Sequence, residues 1–132
     1  FPHLDKQLPI YDNSYSALLN DLDDRGLLDT TLVITAGEFG RTPGFNKDKR
    51  GPGRDHWSRC FSLTLGGGGI QTGRVIGSSD KYGAVPTARP VSLADFAATV
   101  SRALGLDPKA EYMAQGRPMR VLPEGAPVKE LF

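Results

Sequence analysis

The sequence predicts an α/β fold on three observations. Residues 31–35, a short β-branched and apolar run, are typical of a strand buried on both faces in a parallel sheet. Residues 8–25 carry apolar side chains at steps of three and four, which indicates an amphipathic helix. Residues 92–95 (SLAD) resemble the capping box that opens a helix, with Asp in the place of Glu. Helix, strand and helix in this order predict a doubly wound sheet that is incomplete in these 132 residues.

Proline and glycine set the limits of the first helix. Pro9 is best tolerated in a first helical turn, so it is expected to mark the start of the helix. Gly26 suits the left-handed residue that follows a helix end. The chain shows no internal repeat and no linker, so residues 1–132 are expected to form one segment of a single domain.

The rest of the chain predicts short elements separated by turns. Residues 60–65 alternate and precede four glycines, which predicts a second strand, and residues 74–77 predict a weak third. Residues 78–90 have turn composition. The second helix is expected to end at Gly105. The Pro-rich residues 110–132 are expected to be extended, with an edge strand at residues 121–122.

Composition excludes several classes of function. The 16 Lys and Arg residues nearly balance the 15 Asp and Glu residues, and the net charge of +1 gives no general attraction to nucleic acid or membranes. No apolar run approaches the roughly 18 residues that a membrane span needs. Cys60 is the only cysteine, which excludes an intrachain disulfide and predicts a small buried side chain. The chain opens with neither an initiator methionine nor a signal peptide, so we expect a longer parent whose upstream half completes the domain.

Candidate metal ligands follow the first strand. Glu38 comes just after the strand's carboxyl end, where open α/β sheets bind ligands. A loop rich in Gly, Lys and Arg then leads to Asp55 and His56. Carboxylates and imidazoles bind divalent metals such as zinc, manganese, magnesium or calcium. Glu38 and His56 are therefore candidate metal ligands, and Asp55 is a candidate for orienting His56.

Two arginines flank these candidates. Guanidinium groups bind phosphate or sulfate oxygens through paired hydrogen bonds, so Arg41 and Arg54 are candidate substrate-binding residues. Two alternatives stay open: Glu38 can form an ion pair with either arginine, and His56 can pack under Trp57. Other polar or glycine-rich positions are expected to be a solvated loop face or turns: Lys47, Lys49, Arg50, Gly66 to Gly69, Asp80 and Tyr82.

Two motifs carry a resemblance to a known family. Residues 38–43 (EFGRTP) and 53–57 (GRDHW) together resemble DUF1501, a bacterial family of unknown function, and the similarity extends over the whole chain. The resemblance implies the C-terminal part of an alkaline-phosphatase-like, sulfatase-like three-layer sandwich, incomplete in this chain. It also implies a periplasmic or exported protein.

The resemblance further implies a metal site. In the alkaline phosphatase superfamily, an acidic residue just after a core strand binds one divalent metal, often with a histidine directly behind it. A later histidine binds the second metal. These positions correspond to Glu38 and His56, while Phe39 stands where the adjacent histidine would be. The superfamily's nucleophile, a serine, threonine or modified cysteine, and an Asp-His pair are expected upstream of Phe1.

Three functions follow as hypotheses. In the first, a longer parent uses a divalent metal to hydrolyse phosphate or sulfate esters of small molecules or polysaccharides, and this segment is inactive alone. In the second, the fold binds a surface polysaccharide or a partner protein without catalysis, which Phe39 at a ligand position favours. In the third, the basic residues 41–59 bind nucleic acid. The third is disfavoured because Trp57 is the only expected stacking platform and Glu38 opposes a polyanion.

Overall fold

A computed structural model describes residues 2–47 and 53–132 of the chain. It confirms a mixed α/β chain, since the described residues form two α-helices and eight short strands. The helices are α1 (Pro2–Asp24) and α2 (Leu93–Ala103). The strands are β1 (Leu32–Ala36), β2 (Gly40–Arg41), β3 (His56–Trp57), β4 (Leu63–Gly67), β5 (Ser78–Ser79), β6 (Pro86–Ala88), β7 (Glu111–Ala114) and β8 (Arg117–Arg120). They pair as four antiparallel two-stranded sheets: β1 with β4, β2 with β3, β5 with β6, and β7 with β8.

The strand predicted at residues 31–35 is present as β1, but its neighbour is not the expected one. β1 runs antiparallel to β4, with Ile34 opposite Leu65, so the prediction of a parallel partner is wrong for this pair. A parallel connection needs a crossover of a dozen or more residues, usually a helix. In its described part, the connection from Ala36 to Leu63 contains short strands and turns instead. β1 is also less buried than predicted, because Ile34 is 38% exposed.

α1 is longer than predicted and lies on the surface. It begins at Pro2, so Pro9 lies inside the helix and does not mark its start. A proline removes one backbone hydrogen bond and strains the preceding turn, and here the helix continues through that defect. None of the described α1 residues is buried. The predicted apolar stripe is exposed, with Leu8 at 56% and Leu18 at 48%. No helix among the described residues is long and apolar enough to cross a membrane.

The glycine run at residues 66–69 closes the β1–β4 sheet against a short 3-10 helix, Leu28–Thr30. The Gly68 N–H donates to the Leu28 carbonyl at 2.8 Å. Gly67 has a φ of +72°, and a Cβ there would lie 2.6 Å from the same carbonyl oxygen. This turn therefore needs glycine both for its left-handed backbone and for the close approach of the 3-10 helix.

α2 confirms the capping box read from the sequence. The Ser92 hydroxyl accepts from the Asp95 N–H at 3.0 Å, and the Asp95 carboxylate accepts from the Ser92 N–H at 3.3 Å. The helix ends just before Gly105, whose φ is +76°. Its inner face carries two of the most buried residues of the described chain, Ala98 at 0% and Thr99 at 2% exposure.

The core joins the sheet, α2 and the end of the chain. Its buried apolar residues are Ile70, Val128 and Leu131. Half-buried apolar side chains pack around them: Leu32, Leu65, Ile76, Ala103 and Phe132. The C-terminal residues are thus part of the core and not an extended tail. The edge strand predicted at residues 121–122 is wrong, because the strand of this region, β8, ends at Arg120 and belongs to a hairpin with β7. The weak strand predicted at residues 74–77 does not form there, and the next strand, β5, begins at Ser78.

Polar contacts attach the C-terminal residues to α2. The Thr99 hydroxyl donates to the Asp95 carbonyl at 2.6 Å and accepts from the Val128 N–H at 2.9 Å. The Asp95 carboxylate accepts from the Ala126 N–H at 2.8 Å. The Arg102 guanidinium carbon lies 4.2 Å from the centre of the Phe132 ring. One helix therefore anchors the last seven residues through both backbone and side-chain partners.

The same region is expected to lose stability in acid. Two hydrogen bonds from Arg89, at 2.7 and 2.9 Å, lower the pKa of Glu130 from 4.5 to about 2. The Ala126 N–H, followed by the Ser92 hydroxyl and N–H, lowers the pKa of Asp95 below its usual 3.8. A carboxyl whose pKa is lower in the folded state stabilises the fold above its unfolded pKa. We therefore expect the thermal midpoint, followed by circular dichroism, to fall as pH drops from about 4.5 toward 2.

The Glu130→Gln variant isolates this effect. It removes the titrating group, so the acid-side fall in the midpoint should become shallower than in the wild type. Glu124→Gln, on an exposed residue, serves as the control and should keep the wild-type profile. An unchanged acid profile in Glu130→Gln would contradict the assignment.

Candidate functional site

The β2–β3 hairpin brings the two sequence motifs together. Gly40 lies opposite Trp57, and Arg41 lies opposite His56. Beyond these pairs, the Thr42 N–H donates to the Asp55 carbonyl at 2.9 Å, and the Asp55 N–H donates to the Thr42 hydroxyl at 3.0 Å. The described residues up to Lys47 and from Gly53 onward thus belong to the two arms of one hairpin.

Asn46 closes the far end of the described hairpin. Its N–H donates to the Gly53 carbonyl at 2.8 Å, and its side-chain oxygen accepts from the Gly53 N–H at 3.1 Å. Its side-chain amide also donates to an Asp55 carboxylate oxygen at 2.8 Å. The Asp55 carboxylate therefore has a structural partner within the hairpin, and its role in orienting His56 stays a prediction.

Gly40 holds the start of the hairpin against the chain that follows it. A Cβ at Gly40 would collide with the Cys60 carbonyl oxygen and would lie 3.2 Å from the Trp57 carbonyl oxygen. Only glycine permits this approach of two backbones. Cys60 itself is half-buried, which is less burial than the sequence predicted.

One side of the hairpin stacks aromatic and cationic groups. The rings of Phe39 and His56 are stacked, with centroids 3.7 Å apart and planes inclined by 27°. The Arg41 guanidinium lies 5.6 Å from the Phe39 centroid and donates to the Arg54 carbonyl at 3.3 Å. The imidazole binds protons and metals in the plane of its ring, at the two nitrogens. Phe39 covers a face of the imidazole ring. The stacking therefore does not block the in-plane directions from which ligands approach the two nitrogens.

Trp57 attaches the hairpin to the turn at residues 80–85. Its indole N–H donates to the Ala84 carbonyl at 2.7 Å, and the Ala84 N–H donates to the Asp80 carboxylate at 2.7 Å. Asp80, expected only as a turn residue, thus helps to position β3 and with it His56. The sequence feature that could have indicated this contact is Trp57, because a partly buried indole N–H needs a hydrogen-bond acceptor.

Glu38 lies in the bend between β1 and β2 and is exposed. Among the ion pairs of residues 2–47 and 53–132, none joins Glu38 to Arg41 or Arg54. The alternative that Glu38 pairs with an arginine therefore has no support in this part of the chain. His56 is exposed as well, and its ring stacks on Phe39.

The described residues do not complete a metal site by themselves. They contain no group of three or more His, Cys, Asp or Glu side chains placed to hold an ion. Catalytic zinc sites use three protein ligands. Glu38 and His56 have suitable donor atoms, but two donors fall short of that number.

The remaining polar positions that the sequence assigned to loops and turns are Lys47, Lys49, Arg50 and Tyr82. Lys47 is exposed, as the predicted solvated loop face requires. Lys49 and Arg50 lie outside the described residues. Tyr82 is 65% exposed, and the Lys81 ammonium lies 4.9 Å from the centre of its ring.

Fold and site together define a mixed α/β chain with a characteristic hairpin. This hairpin carries two arginines and an imidazole, each close to an aromatic ring. The chain belongs to the family described as protein of unknown function (DUF1501), whose model matches residues 1–132. This confirms the family inferred from the EFGRTP and GRDHW motifs. Comparisons with curated proteins and with solved structures found no match.

Proposed function

We propose that this chain is a segment of a metal-dependent hydrolase of phosphate or sulfate esters, and that the β2–β3 hairpin binds the anionic group of the ester. The proposal includes an alkaline-phosphatase-like, sulfatase-like three-layer sandwich for the complete domain. The observation that carries it is the placement of Arg41, Arg54 and His56 on one hairpin. Such a set of donors fits the oxygens of a tetrahedral anion.

The surroundings of the arginines support anion binding. Arg41 and Arg54 are exposed, and each guanidinium lies near an aromatic ring, at 5.6 Å from Phe39 and 5.9 Å from Phe45. A guanidinium that rests on a ring keeps the N–H groups of its outer edge available for a ligand. Donors placed in advance around a phosphoryl or sulfuryl group stabilise the charge that develops during its transfer.

Glu38 and His56 are proposed as the contribution of this chain to a shared metal site for zinc, manganese, magnesium or calcium. Because these two donors are too few, the remaining ligands and the nucleophile must come from the upstream half of the same domain. When bound, such a metal polarises the ester and activates the nucleophile. The chain alone is expected to bind anions without hydrolysing esters.

The longer parent protein tests this proposal. We expect Arg41→Ala and Arg54→Ala each to lower kcat/KM for p-nitrophenyl phosphate or p-nitrophenyl sulfate by about tenfold or more, because a hydrogen bond to a charged group contributes about 1.5–3 kcal/mol. Glu38→Ala and His56→Ala are expected to lower the metal content, measured by elemental analysis. Arg117→Ala, on exposed β8, is the control and should leave turnover and metal content unchanged.

Unchanged metal content in both the Glu38 and the His56 variants would contradict the proposal. A second candidate function is a binding protein on the same fold without catalysis. Phe39 favours this candidate, because the resemblance implies a metal-binding histidine at this position and the chain carries an apolar ring there instead. A parent that contains no metal and turns over neither ester, yet binds sulfate through Arg41 and Arg54, would establish it.

A further inference from the structure

Residues 40–59 form the most evident cationic stretch of the sequence around the hairpin. This stretch carries six Lys or Arg residues and two Asp residues, a net charge of +4, whereas the whole chain carries +1. Three of its arginines lie near aromatic rings of residues 39–57, with guanidinium carbons 5.4–5.9 Å from the ring centres. The pairs are Arg41 with Phe39, Arg54 with Phe45, and Arg59 with Trp57. We call these three pairs the arginine ladder.

The arginine ladder differs from the ion-paired arginines of the described chain. Arg25, Arg89 and Arg120 each pair with a carboxylate at 2.7–3.2 Å. Within residues 2–47 and 53–132, no ion pair neutralises an arginine of the ladder. The nearby Asp55 carboxylate is bonded to Asn46 instead. Among the described residues, the positive charge of the ladder is therefore available to a ligand from solution.

We propose that the arginine ladder binds an anionic polysaccharide, a sugar polymer that carries sulfate or phosphate ester groups at intervals along its length. This inference rests on the proposed function and names the class of substrate. One tetrahedral ester group presents three terminal oxygens, which one or two guanidinium groups satisfy. Arg54 precedes β3 and Arg59 lies in the turn that follows it, so the two arginines are carried on opposite sides of this short strand in the sequence. A third guanidinium, outside the hairpin pairs that hold Arg41 and Arg54, is available for a second anionic group of the same polymer.

The nearby rings explain why these arginines suit repeated ester groups. A ring beneath a guanidinium restricts its orientation, so less conformational entropy is lost when the ligand binds. Arg41 is restricted further because it donates to the Arg54 carbonyl at 3.3 Å. The two arginines are thereby held together on neighbouring arms of the hairpin. Several weak contacts along one polymer add to a tight complex through high effective concentration.

The same contacts between cationic groups and aromatic rings favour a polysaccharide over a single-stranded nucleic acid. Proteins that bind single strands leave aromatic faces open for the bases. Here Phe39 is stacked on His56 and lies near Arg41, and Trp57 lies under Arg59. These ring faces are therefore partly covered by cations. The ladder offers hydrogen-bond donors for ester oxygens more than surfaces for bases.

Isothermal titration of the metal-free chain with four ligands tests the inference: dextran sulfate, unsulfated dextran of equal length, glucose 6-sulfate and oligothymidylate. We expect dextran sulfate to bind about 100-fold or more tightly than glucose 6-sulfate, and unsulfated dextran not to bind. The triple variant Arg41→Ala, Arg54→Ala and Arg59→Ala should weaken dextran sulfate binding by at least about tenfold. The triple Lys variant keeps the charge but loses the paired donors, so it should bind with intermediate affinity.

The matched control removes the same charge elsewhere, by Arg74→Ala, Arg117→Ala and Arg120→Ala. Circular dichroism verifies that each variant is folded. Equal loss of binding in the control and ladder variants would overturn the inference, because attraction would then be general. Equal affinity for glucose 6-sulfate and dextran sulfate would overturn it in favour of a single-group site. Equal or tighter binding of oligothymidylate would overturn it in favour of nucleic acid. None of these outcomes depends on metal content or ester turnover, which decide the proposed hydrolase.

Discussion

Gly40→Ala is expected to abolish sulfate binding by the β2–β3 hairpin and to lower the free energy of unfolding by about 2–3 kcal/mol. The added methyl group would collide with the Cys60 carbonyl oxygen, which is backbone and cannot move aside as a flexible side chain would. Relief of the collision requires β2 to separate from the chain after β3. That movement would disturb the pairing of Gly40 with Trp57 and of Arg41 with His56.

Two measurements check this prediction on the same samples. Urea denaturation gives the loss of stability, and the fluorescence of Trp57, the only tryptophan, reports on β3 directly. Gly44→Ala is the matched control, because a Cβ at Gly44 meets no atom within 4 Å. It should change the free energy of unfolding by no more than about 0.5 kcal/mol. Wild-type stability and sulfate affinity in Gly40→Ala would show that the hairpin is not held as described.

Thr99→Val is expected to lower the free energy of unfolding by about 1–3 kcal/mol. Valine matches the shape of threonine but lacks the hydroxyl that accepts from the Val128 N–H at 2.9 Å. Thr99 is only 2% exposed and Val128 only 4% exposed, so water cannot replace the lost acceptor. A buried donor without an acceptor destabilises the folded state, because the hydrogen bond that it made to water is lost and not replaced. Urea denaturation followed by circular dichroism measures the loss.

Thr99→Ser separates the hydroxyl from the methyl group. It keeps the bond to Val128 and removes one buried methyl, so its loss should be smaller than that of the Val variant. A Val variant as stable as the wild type would mean that the Val128 N–H is satisfied in another way. A Ser variant less stable than the Val variant would mean that packing, and not the hydrogen bond, dominates at this position.

The elements that the sequence predicted well are those whose cause is local. α2 follows from a capping box of neighbouring residues and from Gly105, and all of these contacts lie within one turn of the helix ends. β1 follows from a β-branched run of five residues. The family was recognisable for a similar reason, because each of its two motifs is short and continuous.

The elements that the sequence did not predict depend on distant partners. β2 and β3 have two residues each, too few for any periodicity, and their register depends on the approach of Gly40 to Cys60. The stacking of Phe39 on His56 joins residues on opposite arms of that hairpin. The C-terminal residues lack a helical or alternating pattern, yet Val128 and Leu131 enter the core. Thr99 of α2 accepts from the Val128 N–H, and the Leu131 carbonyl accepts from the Gln71 N–H.

The positions of the candidate residues follow partly from the sequence and partly from tertiary contacts. Arg41, Arg54 and His56 meet on one hairpin, as the flanking positions in the sequence indicated. Nothing in the sequence indicated that arginines would rest on aromatic rings, because that requires the register of the folded hairpin. Trp57 also gains its anchor at Ala84 only when the turn at residues 80–85 reaches β3.

The composition of the core has a consequence for how the chain folds. The apolar cluster joins Leu32 and Leu65 to Val128 and Leu131, so it links early and late parts of the chain. Contacts between positions so distant in sequence require closure of long loops, whose entropic cost precedes any gain from burial. α2 and the short hairpins can form from neighbouring residues, whereas the cluster forms only when both regions meet. Its assembly should therefore be the slow step and set the folding rate of the whole chain.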